Sequence, residues 1–275
     1  MAVLLVALVS ATGGCTMVNR VRAKNALNEG ARAYKDGRFA DAEARFRDAY
    51  ELDPTQQNAP VFIARAVQQQ YKPGVQTPEN LAVGEKAVTE YGKILQSNPG
   101  NEDAYKAIVF LYGQMKRDEK VNELLMQRAS SGPTPKARAE ALTILASKQW
   151  NCSYEITEQK ENKTTENQPN RILIKYRKPA NQADFDKAQQ CTTEGLRLAE
   201  QATSLDPNNP NAWSYKANLL REKSKLAEMA GDAAAKTDLD KQYDAALETQ
   251  KRLSEEATKR KEAEDAAKPK AAPAG

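Results

Sequence analysis

Eight residues near the start of the chain, Gly30, Tyr34, Gly37, Phe39, Ala42, Phe46, Ala49 and Pro54, follow one another at spacings of 4, 3, 2, 3, 4, 3 and 5. Threes and fours of this kind place residues on one helical face, and the residue types dictate a helix–turn–helix. A small residue at 30 lets two helices approach, Gly37 ends the first, and Phe39 and Phe46 fill the groove. Ala42 and Ala49 keep the second helix close, and Pro54 stops it. The stop recurs: Leu52-Asp53-Pro54 returns as Leu205-Asp206-Pro207, with Asn98-Pro99 and Pro133 between them. The proline gaps of 45, 34 and 74 residues are one 34-residue period carrying insertions of 11 and 40. Such units must stack, because one helix pair cannot bury its apolar face alone. An irregular helical bundle would show the same apolar periodicity but gives no reason for evenly spaced prolines.

The first unit resembles the tetratricopeptide (TPR) repeat at seven of its eight signature positions, with Ala26 standing where that family commonly has tryptophan. The resemblance implies an all-α fold, a TPR-type α-solenoid of about five helix pairs over residues 24–257, with units at about 24–56, 57–101, 102–133, 134–209 and 210–257. The second unit keeps Ala87 and Tyr91 before Pro99, and its 11 extra residues are expected near Lys72 to Asn80. In the third, Ala104, Tyr105 and Tyr112 fit a first helix, and a leucine-rich second helix is expected near Glu119 to Ala129. The fourth should run from about Thr134 to Trp150 and from about Ala183 to Ser204. The fifth opens at Asn211, with Trp213 and Ala217 at family positions, and continues from about Ala234 past Leu253 through Leu239, Tyr243 and Leu247. Residues 258–275 are charged and then rich in alanine and proline, and are expected as a tail, disordered from Lys268 to Gly275.

The long insertion occupies about 152–180 of the fourth unit. Ser153 to Thr157 and Arg171 to Arg177 are β-branched or aromatic and partly alternating, which predicts the two strands of a β-hairpin. Cys152 then closes the unit's first helix and Cys191 lies early in its second. Antiparallel helices bring these positions near one another, so a disulfide is expected in an oxidising compartment; two reduced core cysteines are the alternative. With Cys15 these are the three cysteines of the chain, too far apart for a C-x-x-C site. Asn151-Cys152-Ser153 and Asn162-Lys163-Thr164 have the form of glycosylation acceptors, a form common by chance.

Residues 1–15 have the layout of a signal segment. Ala2 to Val9 are almost wholly apolar, Ser10 to Gly14 are small, and Cys15 follows. As a helix the stretch spans about 22 Å, short of a bilayer's roughly 30 Å hydrocarbon layer. Small residues directly before a cysteine resemble the lipobox of bacterial lipoproteins, although Thr12 stands where leucine is usual and a basic n-region is missing. That resemblance implies an exported, periplasmic chain lipidated at Cys15, touching a membrane through this anchor only, with 16–23 as a tether. An ordinary cleaved signal is the alternative. Arg20, Arg22 and Lys24 follow the anchor, and Lys175, Arg177 and Lys178 lie at the hairpin's base. Both clusters fit a solvated surface, and the first also fits contact with anionic headgroups.

The chain contains no histidine, which removes the commonest general base near neutral pH, the Ser-His-Asp and Cys-His constellations, and zinc sites that need imidazole. No glycine-rich phosphate loop, metal-ligand spacing or nucleophile–base pair is legible, so no catalytic, metal or cofactor site is expected. A net charge of +4 is too small for a nucleic-acid partner. What the TPR resemblance implies instead is a groove lined by the first helix of each unit, holding a protein or peptide. By the family's register it carries Leu27, Ala31 and Tyr34; Val61, Arg65 and Gln68; Lys106 and Phe110; Asn218 and Arg221. Leu27 and Ala31 stand where chaperone-tail receptors of this family have clamp residues, which argues against that subclass.

The expectation is therefore a non-enzymatic interaction scaffold at a bacterial cell envelope, where TPR lipoproteins of comparable size serve outer-membrane protein assembly and pilus biogenesis. The alternative is a self-associating structural subunit, the fifth unit of one copy stacking on the first of the next. The long charged last helix suits a polar cap, which favours the scaffold.

Overall fold

The computed structural model describes residues 9–168 and 171–267. The first part of the expected signal segment (1–8), the side chain of Cys15 and the expected tail from Lys268 lie outside the described residues. The elements run in the order α1 (Val9–Lys35), α2 (Phe39–Leu52), α3 (Ala59–Gln70), α4 (Pro78–Ser97), α5 (Glu102–Gln114), α6 (Asp118–Ser131), α7 (Pro135–Thr157), β1 (Lys163–Gln168), β2 (Arg171–Tyr176), α8 (Gln182–Leu205), α9 (Pro210–Met229) and α10 (Ala233–Ala267). The chain divides into two compact units, one ending at Val121 and one beginning at Asn122.

In the first unit α1 offers α2 a seam of small residues. Ala23, Ala26 and Ala33 are buried, and a β-carbon added at Gly30 would lie 2.6 Å from the Phe46 ring, so Gly30 sets how closely the two helices pack. Gly37 takes a φ of 75°, a left-handed conformation that costs glycine little, and ends α1. Ala42, Phe46 and Ala49 form the buried stripe of α2, which stops where Asp53 folds back on Thr55 and Gln56. Of the expected 11-residue insertion, part lengthens α4, which has 20 residues against 14 in α2, and only part lies in the loop before it, residues 71–77. Asn80 holds that loop, accepting from the Lys72 amide at 2.8 Å and donating to the Lys72 and Val75 carbonyls at 2.9 and 2.7 Å. Thr77 and Asn101 cap α4 and α5.

The second unit is built on longer helices. Leu142 and Ala146 of α7, Leu196 to Ala202 of α8, Ala212 to Leu220 of α9 and Leu239 and Ala246 of α10 share one core. Gly195 is the closest approach, where an added β-carbon would lie 2.5 Å from Leu219. A smaller cluster of Ile156, Phe185, Ala188, Leu226 and Met229 sits under Tyr176 of the hairpin.

Three expectations are corrected. Ser153 to Thr157 is not a strand but the end of α7: Ser153, Ile156 and Thr157 recur at helical spacing, all are buried, and both hydroxyls donate to Glu222 of α9. Tertiary burial outweighs β propensity here. The first strand is instead the polar Lys163–Gln168, paired antiparallel with β2 from Lys163↔Tyr176 to Gln168↔Arg171, and Cys152 lies inside α7 rather than at its end. Second, α10 runs to Ala267, so the charged residues 258–267 are helix and not tail, supported by good helix formers and i,i+4 pairs such as Arg252–Glu256. Third, residues 16–23 are part of α1 and not a separate tether. Among the described residues no helix is long and apolar enough to cross a membrane.

Candidate functional site

The first unit brings eight of the ten predicted groove residues onto α1, α3 and α5. Leu27, Ala31 and Tyr34 lie at i, i+4 and i+7 on α1, and Val61, Arg65 and Gln68 repeat that spacing on α3, one stripe on each helix. On α5, Lys106 and Phe110 follow Asp103 at i+3 and i+7. The α3 and α5 stripes are joined, and the α1 stripe is tied to the start of α2. Arg65 reaches Asp103 across α3 and α5 at 3.7 Å, and the Tyr34 ring meets Phe39 edge to face at 5.3 Å. Tyr91 rises from α4 and its hydroxyl donates to Gln68 Oε1 at 2.6 Å. Burial pushes the Tyr91 phenol up to about 12, with Arg65 pulling it back and Tyr34 and Asp103 adding to the rise. Arg65, Tyr34 and Asp103 all lie within electrostatic reach of the Tyr91 hydroxyl.

These eight residues differ in what they can offer. Phe110 is 47% exposed, a large apolar side chain beside the exposed ammonium of Lys106. Ala31 is exposed, and Leu27, Tyr34 and Val61 are half-buried and divide their surface between packing and solvent. Arg65 and Gln68 already have partners in Asp103 and Tyr91. Sequence reasoning missed those two partners. Tyr91 carries a repeat signal but belongs to the second helix of its unit, and nothing in the spacing marks Asp103. The face combines an aromatic anchor, aliphatic surface, an amide and both charges, a composition suited to holding a peptide.

Asn218 and Arg221 lie on α9 in the second unit. Arg221 pairs with Asp240 of α10 at 3.3 Å and sits 5.7 Å from the centre of the Tyr243 ring. Along α8 the second unit also has two open clefts. One, of about 870 Å³, is walled by Met126, Leu145 and Leu205; the other, of about 780 Å³, by Leu226 and Leu239.

Under the hairpin the second unit buries charge. Lys225 is 7% exposed and Glu222 1% exposed; the ammonium donates to Glu222 at 2.5 Å and to Glu158 at 2.7 Å, and lies 5.3 and 5.0 Å from the Tyr154 and Tyr176 rings. Burial works against the Lys225 ammonium, but Glu222 and Glu158 outweigh it and its pKa is raised. Burial would likewise raise Glu158, yet hydrogen bonds from Lys163, Lys225 and the Tyr176 hydroxyl hold it down at about 2. Every member has a partner, so this is a structural tie between α7, α9 and the hairpin rather than a poised acid or base. Cys152 and Cys191 form a disulfide between α7 and α8 with their Cα atoms 6.1 Å apart.

Residues 198–248, from the end of α8 through α9 into α10, match the tetratricopeptide repeat family. No curated protein matches the chain in sequence. Among solved structures it is similar to a TPR repeats protein from Bacteroides fragilis, at 16% identity and a TM-score of 0.49, over 74% of this chain and 84% of that one. It is also similar to MamA from Desulfovibrio magneticus, at 14% identity and 0.36 over 80% and 96%, and to pilF of Pseudomonas aeruginosa, at 15% and 0.36 over 86% and 99%. The family match falls on the fifth helix pair, whereas the residue pattern is clearest in the first. The fold is all-α, built of helix pairs of the tetratricopeptide type, with a two-stranded hairpin inserted between the helices of the fourth pair.

Proposed function

We propose that this chain is a non-enzymatic scaffold that holds a protein or peptide partner on the α1–α3–α5 face of its first unit. In this reading it is exported and tethered through lipid on Cys15 at a bacterial cell envelope, and it serves an envelope or pilus assembly. Helix-pair repeats in general supply extended surfaces for protein partners. The observation that carries the proposal is Phe110, 47% exposed next to Lys106 on a stripe that Arg65–Asp103 joins to α3. An exposed aromatic ring among polar and charged neighbours is the kind of side chain that anchors a protein partner. Export is supported by the Cys152–Cys191 disulfide, since such bonds persist in oxidising compartments.

The test places a photo-crosslinking side chain at Lys106, beside Phe110, in the cell. A discrete adduct of the envelope fraction, lost when Tyr34→Ala is added, supports the reading. Equal capture by Tyr34→Ala and by the parent overturns the groove assignment. Mass spectrometry of the N-terminal peptide decides lipidation at Cys15. Light scattering across concentration separates the scaffold from a self-associating subunit, because mass that grows without limit would defeat the scaffold.

A further inference from the structure

The first turns of α1 present to solvent what a soluble helix normally hides. Met17, Val18 and Val21 are 73%, 51% and 61% exposed, while Ala23 and Ala26, on the opposite side of the same helix, are buried toward α2. At about 100° per residue, Met17, Val18 and Val21 centre on one outward face, and Arg20 and Arg22 flank that face on either side. All three basic residues of the segment, Arg20, Arg22 and Lys24, are exposed, and the first acidic residue of the chain is Glu29. An apolar stripe bordered on both sides by cations is the layout of a helix lying in a bilayer interface, aliphatic groups at the acyl boundary and long basic side chains reaching the headgroups.

We infer that the outward face of α1 around Met17, Val18 and Val21 is a docking surface for an anionic lipid bilayer. The charge pattern selects this occupant: Arg20 and Lys24 on one side and Arg22 on the other border the aliphatic side chains and complement anionic headgroups over acyl chains, while the carboxylates of Glu29, Asp48 and Glu51 beside Arg22 belong to the side that turns toward α2. Chain continuity agrees, since the face begins two residues after Cys15. The inference rests on the membrane reading of the proposed function and deepens it: the protein side chains make a second, charge-dependent contact, and the solenoid's first helix lies along the membrane instead of hanging from it.

The experiment uses the full chain carrying Cys15→Ser, which removes the acylation site. It is sedimented with vesicles of phosphatidylcholine alone or mixed with phosphatidylglycerol. Binding to the anionic vesicles is expected to exceed binding to neutral ones by on the order of a hundredfold at low salt, about fivefold per basic residue. The preference should fall as salt is added and vanish in Arg20→Gln/Arg22→Gln/Lys24→Gln. Met17→Ser/Val21→Ser should weaken anionic binding about tenfold. An environment-sensitive probe at Val21→Cys should shift to shorter wavelength with anionic vesicles, and the same probe at Ala40→Cys should not. Equal binding to neutral and anionic vesicles, or unchanged binding by the charge-removed variant, overturns the inference. So does a Val21 probe that shifts with protein concentration when no lipid is present, because a second copy would then cover the face. Absence of acyl mass on Cys15 with vesicle binding intact would sink the anchor and leave this surface standing; acylation without charge-dependent binding does the reverse.

Discussion

The Tyr91 hydroxyl, on the second helix of its pair, donates to Oε1 of Gln68 at 2.6 Å and so fixes from beneath an amide of the face presented by the first helices. Tyr91→Phe removes that bond and leaves the Gln68 oxygen free to turn toward solvent. Stability should fall by about 1 kcal/mol in urea unfolding. Phe110→Ala should change stability by no more than about 0.5 kcal/mol, because the ring is half in water, while abolishing crosslinking at the face. A large stability loss for Phe110→Ala would show that the ring is packing and not an anchor.

Reduction of Cys152–Cys191 should destabilise the second unit selectively. A sequence separation of 39 residues corresponds to about 4 kcal/mol in the chain-entropy account. Hydrogen exchange with and without reductant should show faster exchange in α7 and α8 and unchanged protection in α2 to α4. Equal loosening of both units would contradict this.

Acid should loosen the hairpin first. The Glu158 carboxyl sits at about 2 against an ordinary 4.5, because Lys163, Lys225 and the Tyr176 hydroxyl outweigh its burial. A carboxylate depressed in the folded state adds stability that is fully present above pH 4.5 and is lost as pH falls toward 2. The contribution is on the order of 2 kcal/mol, and Glu158→Gln should remove that part of the acid dependence. Exchange of the Tyr176 amide, which donates to Glu228, is the local reporter.

Breaking the buried pair from one side should cost more than replacing it whole. Glu222→Leu leaves the Lys225 ammonium with Glu158 alone and removes the acceptor of Ser153 and Thr157, and should lower stability by about 3–5 kcal/mol. Adding Lys225→Met to Glu222→Leu should recover part of that loss. A double variant less stable than Glu222→Leu alone would contradict this.

The glycines divide by what surrounds them. Gly30→Ala forces a methyl to within 2.6 Å of the Phe46 ring, and overpacking at this seam should cost about 1–3 kcal/mol. Gly113 is exposed within α5 with open space at its β position, so Gly113→Ala should stabilise by up to about 1 kcal/mol. Thermal melts of the two variants should shift in opposite directions.

The period was legible because Gly30, Gly37, Ala42 and the recurring prolines each act locally: they permit an approach, end a helix or block its continuation whatever the rest of the chain does. The presence of extra residues near Lys72 to Asn80 was legible as an interval longer than the period, but their form was not, since part of the excess extends α4 and only residues 71–77 form a loop. Ser153 to Thr157 failed because their side chains suit a strand or a helix, and only Glu222, 65 residues or more along the chain, chooses between them. The end of α10 was misjudged for a related reason. A charged, alanine-rich segment resembles a tail by composition, yet it continues a helix already nucleated and packed through Leu253, which is 1% exposed.

Sequence alone determined the repeat period, the glycine turn that ends α1 and the stops of α2, α4, α6 and α8 ahead of Pro54, Pro99, Pro133 and Pro207, because turns, caps and period are properties of neighbouring residues. Only the tertiary structure decided that Arg65 is met by Asp103 and Gln68 by Tyr91, that Lys225 is buried between two carboxylates, and that Met17, Val18 and Val21 lie on the side of α1 away from its partner. Partners of this kind come from different helices, and the sequence carries no signal for a distance that arises only when those helices pack.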